Sequence, residues 1–250
     1  TVNKINPTWV SEVEDTAWGT LPTANNSSID AALTSWLAFQ NLLQKSVTSG
    51  SCFSNPIAST YSVVYTNASG AYFGGVLAPN GDVHFVPGVA IRGQKISATG
   101  VVSTYSLILT NSSGAYFGGV LANNGDIHFV PGGAAVGQKI SSAGVVSTYS
   151  LAYSAGVYIG GVVSPNGEIH FAPNTATVGQ KISIAGVVST YSLVYTNVSG
   201  AYAGAVLAPN GDIHFVPQYA TVGQKISATG VDSTYSLAYT TSSAYYGGIL

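Results

Sequence analysis

LAPNGDIHFVP, residues 207–217, occurs in near-copies as LAPNGDVHFVP (77–87), LANNGDIHFV (121–130) and VSPNGEIHFAP (163–173). Its residues alternate: Ile213 and Phe215 face opposite to Asp212 and His214, a period of two that belongs to a half-buried strand rather than a helix. Asn-Gly at 210–211, with counterparts at 80–81, 124–125 and 166–167, is the preferred pair for a type I′ hairpin, so each copy reads as strand, tight turn, strand.

Working outward, the surroundings repeat as well. STYS begins at 59, 103, 147, 189 and 233, and GQKIS at 93, 137, 179 and 223. The spacing is 44 residues with one interval of 42, where YSAGVY (153–158) replaces the longer YTNxSGAY form; a two-residue loss that leaves its flanks intact marks a surface loop. Each unit then holds four short strands, of the types GGVLAP, DIHFVP, GQKIS and STYSLVYT. Four antiparallel strands in a tandem repeat of about 44 residues are the signature of a β-propeller blade. The competing architecture, a β-solenoid, has shorter repeats and fewer tight hairpins.

Glycine pairs at 74–75, 118–119, 160–161 and 247–248, with Gly204-Ala205 in the fourth unit, suit the innermost strand, where blades crowd the axis and a missing Cβ permits close approach. The Tyr-rich STYSLVYT segment is expected outside as the longer strand. Complete blades are predicted at about 74–110, 118–154, 160–196 and 204–240, with an outer strand at 59–66 before them and an inner strand at 244–250 after them. A closing blade made of those two alone would leave unpaired edges, so the chain is expected to continue beyond Leu250 as a propeller of more blades.

Residues 1–58 share nothing with the repeat and are read as an N-terminal anchor or oligomerisation segment preceding the 59–250 repeats. A helix at about 28–46 follows from the Ser27/Asp30 capping pair and the apolar spacing of Ile29, Leu33, Trp36, Leu37 and Leu43. That stripe serves packing against the propeller or association with another helix. The remaining 1–25 segment shows no assignable pattern.

Charged residues make up 6% of the 250 residues, far below the usual quarter, and the net charge of −2 gives no electrostatic footprint for nucleic acid or anionic lipid. No run reaches the ~18 apolar residues of a membrane helix. Cys52 is the single cysteine, so there is no intrachain disulfide framework. A chain that begins at Thr1 and lacks Met reads as a processed product or fragment. Low charge with a Thr/Tyr-rich surface leans towards an extracellular or particle-bound protein.

Four histidines share one repeat position, His84, His128, His170 and His214. Each lies on a different blade, so a structural hydrogen bond repeated with the blade is expected and a shared metal is not. Asp82, Asp126, Glu168 and Asp212 each precede a lysine by 13 residues (Lys95, Lys139, Lys181, Lys225) and are expected to pair across the second hairpin as fold staples. Two tyrosine sets repeat: Tyr61, Tyr105, Tyr149, Tyr191 and Tyr235, and Tyr72, Tyr116, Tyr158, Tyr202 and Tyr245. They suit inter-blade packing with each hydroxyl partnered. As an alternative, Tyr72, Tyr116, Tyr158, Tyr202 and Tyr245 form a ring of aromatic platforms for sugar, one per blade, acting through multivalency. Asn67, Asn111 and Asn197 stand in N-x-S/T triplets on loops. No G-x-S-x-G, P-loop, H-E-x-x-H or C-x-x-C motif is present, so the sequence predicts neither a cofactor nor an enzyme.

The unit GGVLAPNGDIHFVP…GQKIS…GVVSTYSLVYT resembles propeller repeats of the broad WD/kelch-like type. More closely it is similar to the short, nearly identical repeats of virion structural proteins of phages and other viruses. The resemblance covers about 59–250 and implies a propeller displayed on a virus particle as a structural or attachment component. It would act by binding, with other virion proteins, copies of itself or cell-surface glycan as partners, at the virion surface or outside the cell. A secreted lectin-like propeller is the alternative.

Overall fold

The computed structural model describes residues 60–62, 69–110, 114–155, 157–195, 199–240 and 245–248. The helix expected at about 28–46 and the triplets at Asn67, Asn111 and Asn197 lie outside these residues. The chain divides into two compact units, Thr1–Thr60 and Tyr61–Leu250, and every described strand belongs to the second.

Sixteen strands among the described residues form four separate four-stranded antiparallel sheets, each in sequential order. Blade 1 is β1 (Tyr72–Leu77), β2 (Val83–Pro87), β3 (Arg92–Ile96) and β4 (Val102–Ser106). Blade 2 is β5 (Tyr116–Leu121), β6 (Ile127–Pro131), β7 (Val136–Ile140) and β8 (Val146–Ser150). Blade 3 is β9 (Tyr158–Val163), β10 (Ile169–Pro173), β11 (Val178–Ile182) and β12 (Val188–Ser192). Blade 4 is β13 (Tyr202–Leu207), β14 (Ile213–Pro217), β15 (Val222–Ile226) and β16 (Asp232–Ser236). The expected propeller blade is therefore the repeating unit, and no solenoid rung forms among the described residues.

The first strands line the inside: β1 packs on β5, β5 on β9 and β9 on β13. The glycine pairs explain how. Register between β5 and β6 jumps from Tyr116↔Pro131 to Gly119↔Phe129, a bulge at which Gly118 takes φ 119°, a conformation that side chains resist. A Cβ on Gly118 would also stand 3.1 Å from the Gly160 backbone of the next blade. Gly119 lies against Val76 and Val86 of blade 1, and Gly248 lies against Val206 and Val216 of blade 4 in the same manner. Gly248 thus takes the place against blade 4 that Gly119 takes against blade 1.

Two expectations are corrected. The Asn-Gly turns are not type I′. Gly81 N–H donates to the Ala78 carbonyl, so the turn runs Ala78–Gly81 with Pro79 as its first central residue. Proline fixes φ near −65°, which the primed turns forbid, and Gly81 follows as the left-handed residue at φ 84° of a three-residue hairpin loop. The same bond closes 122–125, 164–167 and 208–211. Nor is the fourth strand the longer one. It ends at Ser106, Ser150, Ser192 and Ser236, after five residues, and in the first three blades the following backbone is drawn to the next blade. Gln138 Oε1 on β7 accepts the N–H groups of Ile108 and Leu109, each at 2.9 Å. Gln180 takes Tyr153 N–H and Gln224 takes Tyr195 N–H in the same way.

Between blades the core is apolar. Val76 and Val86 of blade 1 meet Tyr116, Ile127, Phe129 and Ile140 of blade 2, and equivalent clusters fill the next two interfaces. Burying each such aromatic contributes about 3 kcal/mol on area alone.

Candidate functional site

The tyrosines nominated as sugar platforms do not form one set. Tyr116, Tyr158 and Tyr202 have no exposed surface, and their hydroxyls donate to the carbonyls of Val136, Val178 and Val222 at 3.2, 2.9 and 3.4 Å. Tyr72 is half-buried, its hydroxyl donating to Arg92 O at 2.9 Å, and Tyr245 is exposed. A ring wedged between blades presents no face to a sugar, so the three buried residues are packing residues. Their opposite numbers in the other set lie flat across a glycine: a Cβ on Gly137, Gly179 or Gly223 would stand 2.1–2.2 Å from ring atoms of Tyr149, Tyr191 or Tyr235. This cross-strand cover leaves the phenol beside the histidine of the second strand. Nδ1 of His128, His170 and His214 lies 3.3, 3.5 and 3.2 Å from the hydroxyls of Tyr149, Tyr191 and Tyr235. The repeated structural bond expected of the histidines is present in these three blades. The carboxylate–lysine pairs also form, at 2.6 Å (Asp82–Lys95), 2.7 Å (Asp126–Lys139), 2.9 Å (Glu168–Lys181) and 2.6 Å (Asp212–Lys225).

One place combines a groove with departures from the repeat. A small groove of about 80 Å³, open to solvent, lies between the turns of blades 3 and 4. Blade 3 contributes Ser164, Asn166, Glu168, His170, Lys181 and Tyr191, and blade 4 contributes Gly211, Ser227, Ala228 and Asp232. Three of these residues break the pattern: Ser164, where the other repeats have alanine, and two carboxylates. Glu168 stands where the other repeats have aspartate, and Asp232 stands where they have Val102, Val146 and Val188.

The glutamate changes its blade locally. Asp126 and Asp212 each use Oδ1 to accept a backbone N–H from the turn between third and fourth strands, Ser142 or Ala228, at 3.1 and 3.0 Å. Glu168 instead takes Lys181 Nζ on both oxygens at 2.9 Å, accepts from Asn166 Nδ2 and comes within 3.7 Å of His170 Nε2. Its hydrogen bond from Lys181 holds the carboxyl below the ordinary range. Burial holds the His170 imidazole down at about 4, so it is neutral at pH 7. Burial raises the Tyr191 hydroxyl above its ordinary 10, with the charge of Asp232 adding to the effect.

Asp232 itself ties the two blades, its Oδ2 accepting Val194 N–H at 2.8 Å. Oδ1 is buried and has no hydrogen-bond partner among the described residues. Burial accordingly raises this carboxyl above its ordinary value. The groove therefore brings together two carboxylates, a lysine, a neutral imidazole and a phenol. Chemically it can accept hydrogen bonds, attract a cation and exchange a proton at His170. Sequence reading pairs Glu168 with Lys181 but passes over Asp232 and the buried glutamines. The signal for the first is a lone aspartate in an otherwise valine column, and for the second a glutamine in every GQKIS.

No family model matches the chain, and no curated protein matches it. Solved structures do share its fold. Virginiamycin B lyase from Staphylococcus aureus superposes with a TM-score of 0.58 at 18% identity over 67% of this chain and 56% of the lyase. A streptogramin B lyase gives 0.56 at 21% identity over 66% of this chain and 54% of its own. An auxiliary nutrient binding protein from Bacteroides ovatus gives 0.52 at 17% identity over 69% and 44%. The chain thus spans little more than half the length of the lyases it matches. The expectation that the chain is no enzyme is overturned here, because solved lyases are built on this fold. The repeats of residues 72–236 are the four-stranded blades of a propeller fold that those structures share.

Proposed function

We propose that the chain acts by recognition, as an attachment component displayed on the surface of a virus particle, and that its ligand sits in the groove between blades 3 and 4. The observation that carries this reading is a break in the repeat: Glu168 and Asp232, one from each blade, meet in one inter-blade groove. The sparse charge of the chain, 6% of residues, suits a displayed surface in which charge is kept for the site. Cell-surface glycan is the ligand class that such a hydroxyl-, amide- and carboxylate-lined groove accommodates, and the secreted lectin-like alternative uses the same groove. An array of immobilised glycans tests the reading. Specific binding competed by free sugar, and lost in Ala228→Trp, which fills the mouth of the groove, is the expected result. Binding that Ala228→Trp leaves intact would sink it. Co-purification of the chain with particles separates attachment from secretion.

A second reading has its own observation. A neutral imidazole, His170, stands between a carboxylate and a phenol in a groove with a second carboxylate. That set is equipped for general acid–base chemistry, with His170 as the proton acceptor. A solved lyase structure of this fold contains quinupristin, which makes quinupristin the first substrate to offer. Its conversion, abolished by His170→Ala, would establish the second reading, and an unchanged substrate removes this candidate.

A further inference from the structure

We infer that the protein associates head to tail, the trailing face of blade 4 taking the leading face of blade 1 of a second copy. The inference goes beyond the recognition reading above and does not depend on it.

Each interface between blades is made the same way: two aliphatic residues and a tyrosine of one blade receive a set of large side chains from the next. Val76, Val86 and Tyr105 of blade 1 take Tyr116, Ile127, Phe129 and Ile140 of blade 2, none of which is more than 2% exposed. Blade 4 presents the same trailing set, Val206, Val216 and Tyr235, and among the described residues no further sheet covers it. In place of a following blade stands a groove of about 270 Å³, lined by Val206, His214, Val216, Tyr235, Leu237 and Tyr245. The matching leading set lies on blade 1 of the same chain. Tyr72, Val83, Phe85 and Ile96 stand in the columns of Tyr116, Ile127, Phe129 and Ile140, yet all four are only half-buried, and Leu77, in the column of Leu121, is exposed. One chain thus holds both halves of an interface that it already makes three times, and joining them across two copies removes the same apolar surface from water. Gly248 now seats against Val206 and Val216. Its segment, Tyr245-Tyr246-Gly247-Gly248, repeats Tyr72-Phe73-Gly74-Gly75, so β1 of the second copy replaces it like for like, a low-cost exchange. The rim adds a pair particular to this contact. The Tyr195 hydroxyl of blade 3 lies 3.3 Å from Thr221 Oγ1, next to Val222. By the same register Tyr239 of blade 4, which is 58% exposed, meets Arg92 of the second copy, the exposed residue in the column of Val222. A guanidinium over a phenol ring is a favourable cation–π contact.

Sedimentation of the full chain over a concentration series tests this. Wild type should exceed the mass of one chain and grow with concentration, because a contact between two different faces repeats from copy to copy. Val206→Arg on the trailing face and Ile96→Arg on the leading face should each hold the protein at the mass of one chain. Mixed in equal amounts, the two variants should form a species of two chains and no larger, since each contributes the face that the other has lost. That rescue also shows that both variants fold. Tyr239→Ala, an exposed position, should weaken association about fivefold, the worth of one cation–π contact. A wild type that stays at the mass of one chain, association that survives either arginine, a mixture that fails to pair, or a Tyr239→Ala protein that associates as wild type would each overturn the inference.

Discussion

The interface between blades 2 and 3 and the interface, with its groove, between blades 3 and 4 rest on the same scaffold. Each has a buried glutamine reaching back to the preceding blade, a tyrosine wedged in the interface and a carboxylate–lysine pair beside it. Among the residues lining the groove they differ at five positions: Ala122 against Ser164, Asn123 against Pro165, Asp126 against Glu168, Ile184 against Ala228 and Val188 against Asp232. Everything common to the two is spent on holding blades together. Much of what is particular to the second adds charge, an unpaired acceptor or space. In a chain of nearly identical units, candidate function therefore sits where a unit departs from its neighbours, and the repeated polar residues, conspicuous in the sequence, are structural.

That division can be broken in graded steps. The largest effect is expected from the shared core: Tyr158→Ala and Tyr202→Ala should each cost about 3–5 kcal/mol in urea unfolding. Tyr158 should lose slightly more, because its hydroxyl bond is the shorter, 2.9 against 3.4 Å. A large loss at one interface and none at the other would refute the common scaffold.

Acid comes next. His128 and His170, one beside each interface, are held at about 4 by burial, against 6.5 when unfolded. A depressed histidine contributes no penalty above 6.5. As pH falls below that value the unfolded chain takes up protons that the fold refuses, so stability drops until about pH 4. Each histidine should remove about 2 kcal/mol by pH 5. The lowered carboxyls of Asp126 and Glu168 add a further loss only below the ordinary carboxylate range. Urea midpoints at pH 7 and 5 check this, and a flat profile would contradict the burial of both histidines.

Smaller still is Gln180→Leu compared with Gln224→Leu, at about 1 kcal/mol each. Losing the acceptor for Tyr153 or Tyr195 N–H is offset by removing an unpaired Nε2. Gln224→Leu should be the milder, since Asp232 still ties Val194 across the same interface. The smallest change is Asp232→Val, within about 1 kcal/mol of wild type, because the fold accepts valine there three times over.

Much of the fold is legible in the sequence because it depends on local chemistry repeated at a fixed interval. The period-two pattern of DIHF marks the second strand, and the glycine pairs mark the inner one. Asp–Lys spacing marks the cross-strand pairs. The turn type is misread when Asn-Gly is weighed without Pro79, whose fixed φ moves the turn back by one residue. Strand four is overextended because alternation continues through Leu193 and Tyr195 after the backbone has left the sheet; what draws it away is a glutamine 29 residues further on. The tyrosine ring belongs to a surface on one reading of its spacing and to a buried wedge on another, a distinction that periodicity does not carry. The site is hardest to see. Glu168, Tyr191 and Asp232 lie up to 64 residues apart in the chain, and only the stacking of one blade on the next brings them to one groove.

The most direct measurement is binding on the glycan array by three proteins side by side: wild type, Ala228→Trp and Ile184→Trp. The two substitutions place the same bulk at equivalent turns of the two interfaces. Loss of binding in Ala228→Trp alone is the expected outcome if ligand sits between blades 3 and 4. Equal binding by all three, or loss confined to Ile184→Trp, would refute that and place recognition elsewhere on the molecule.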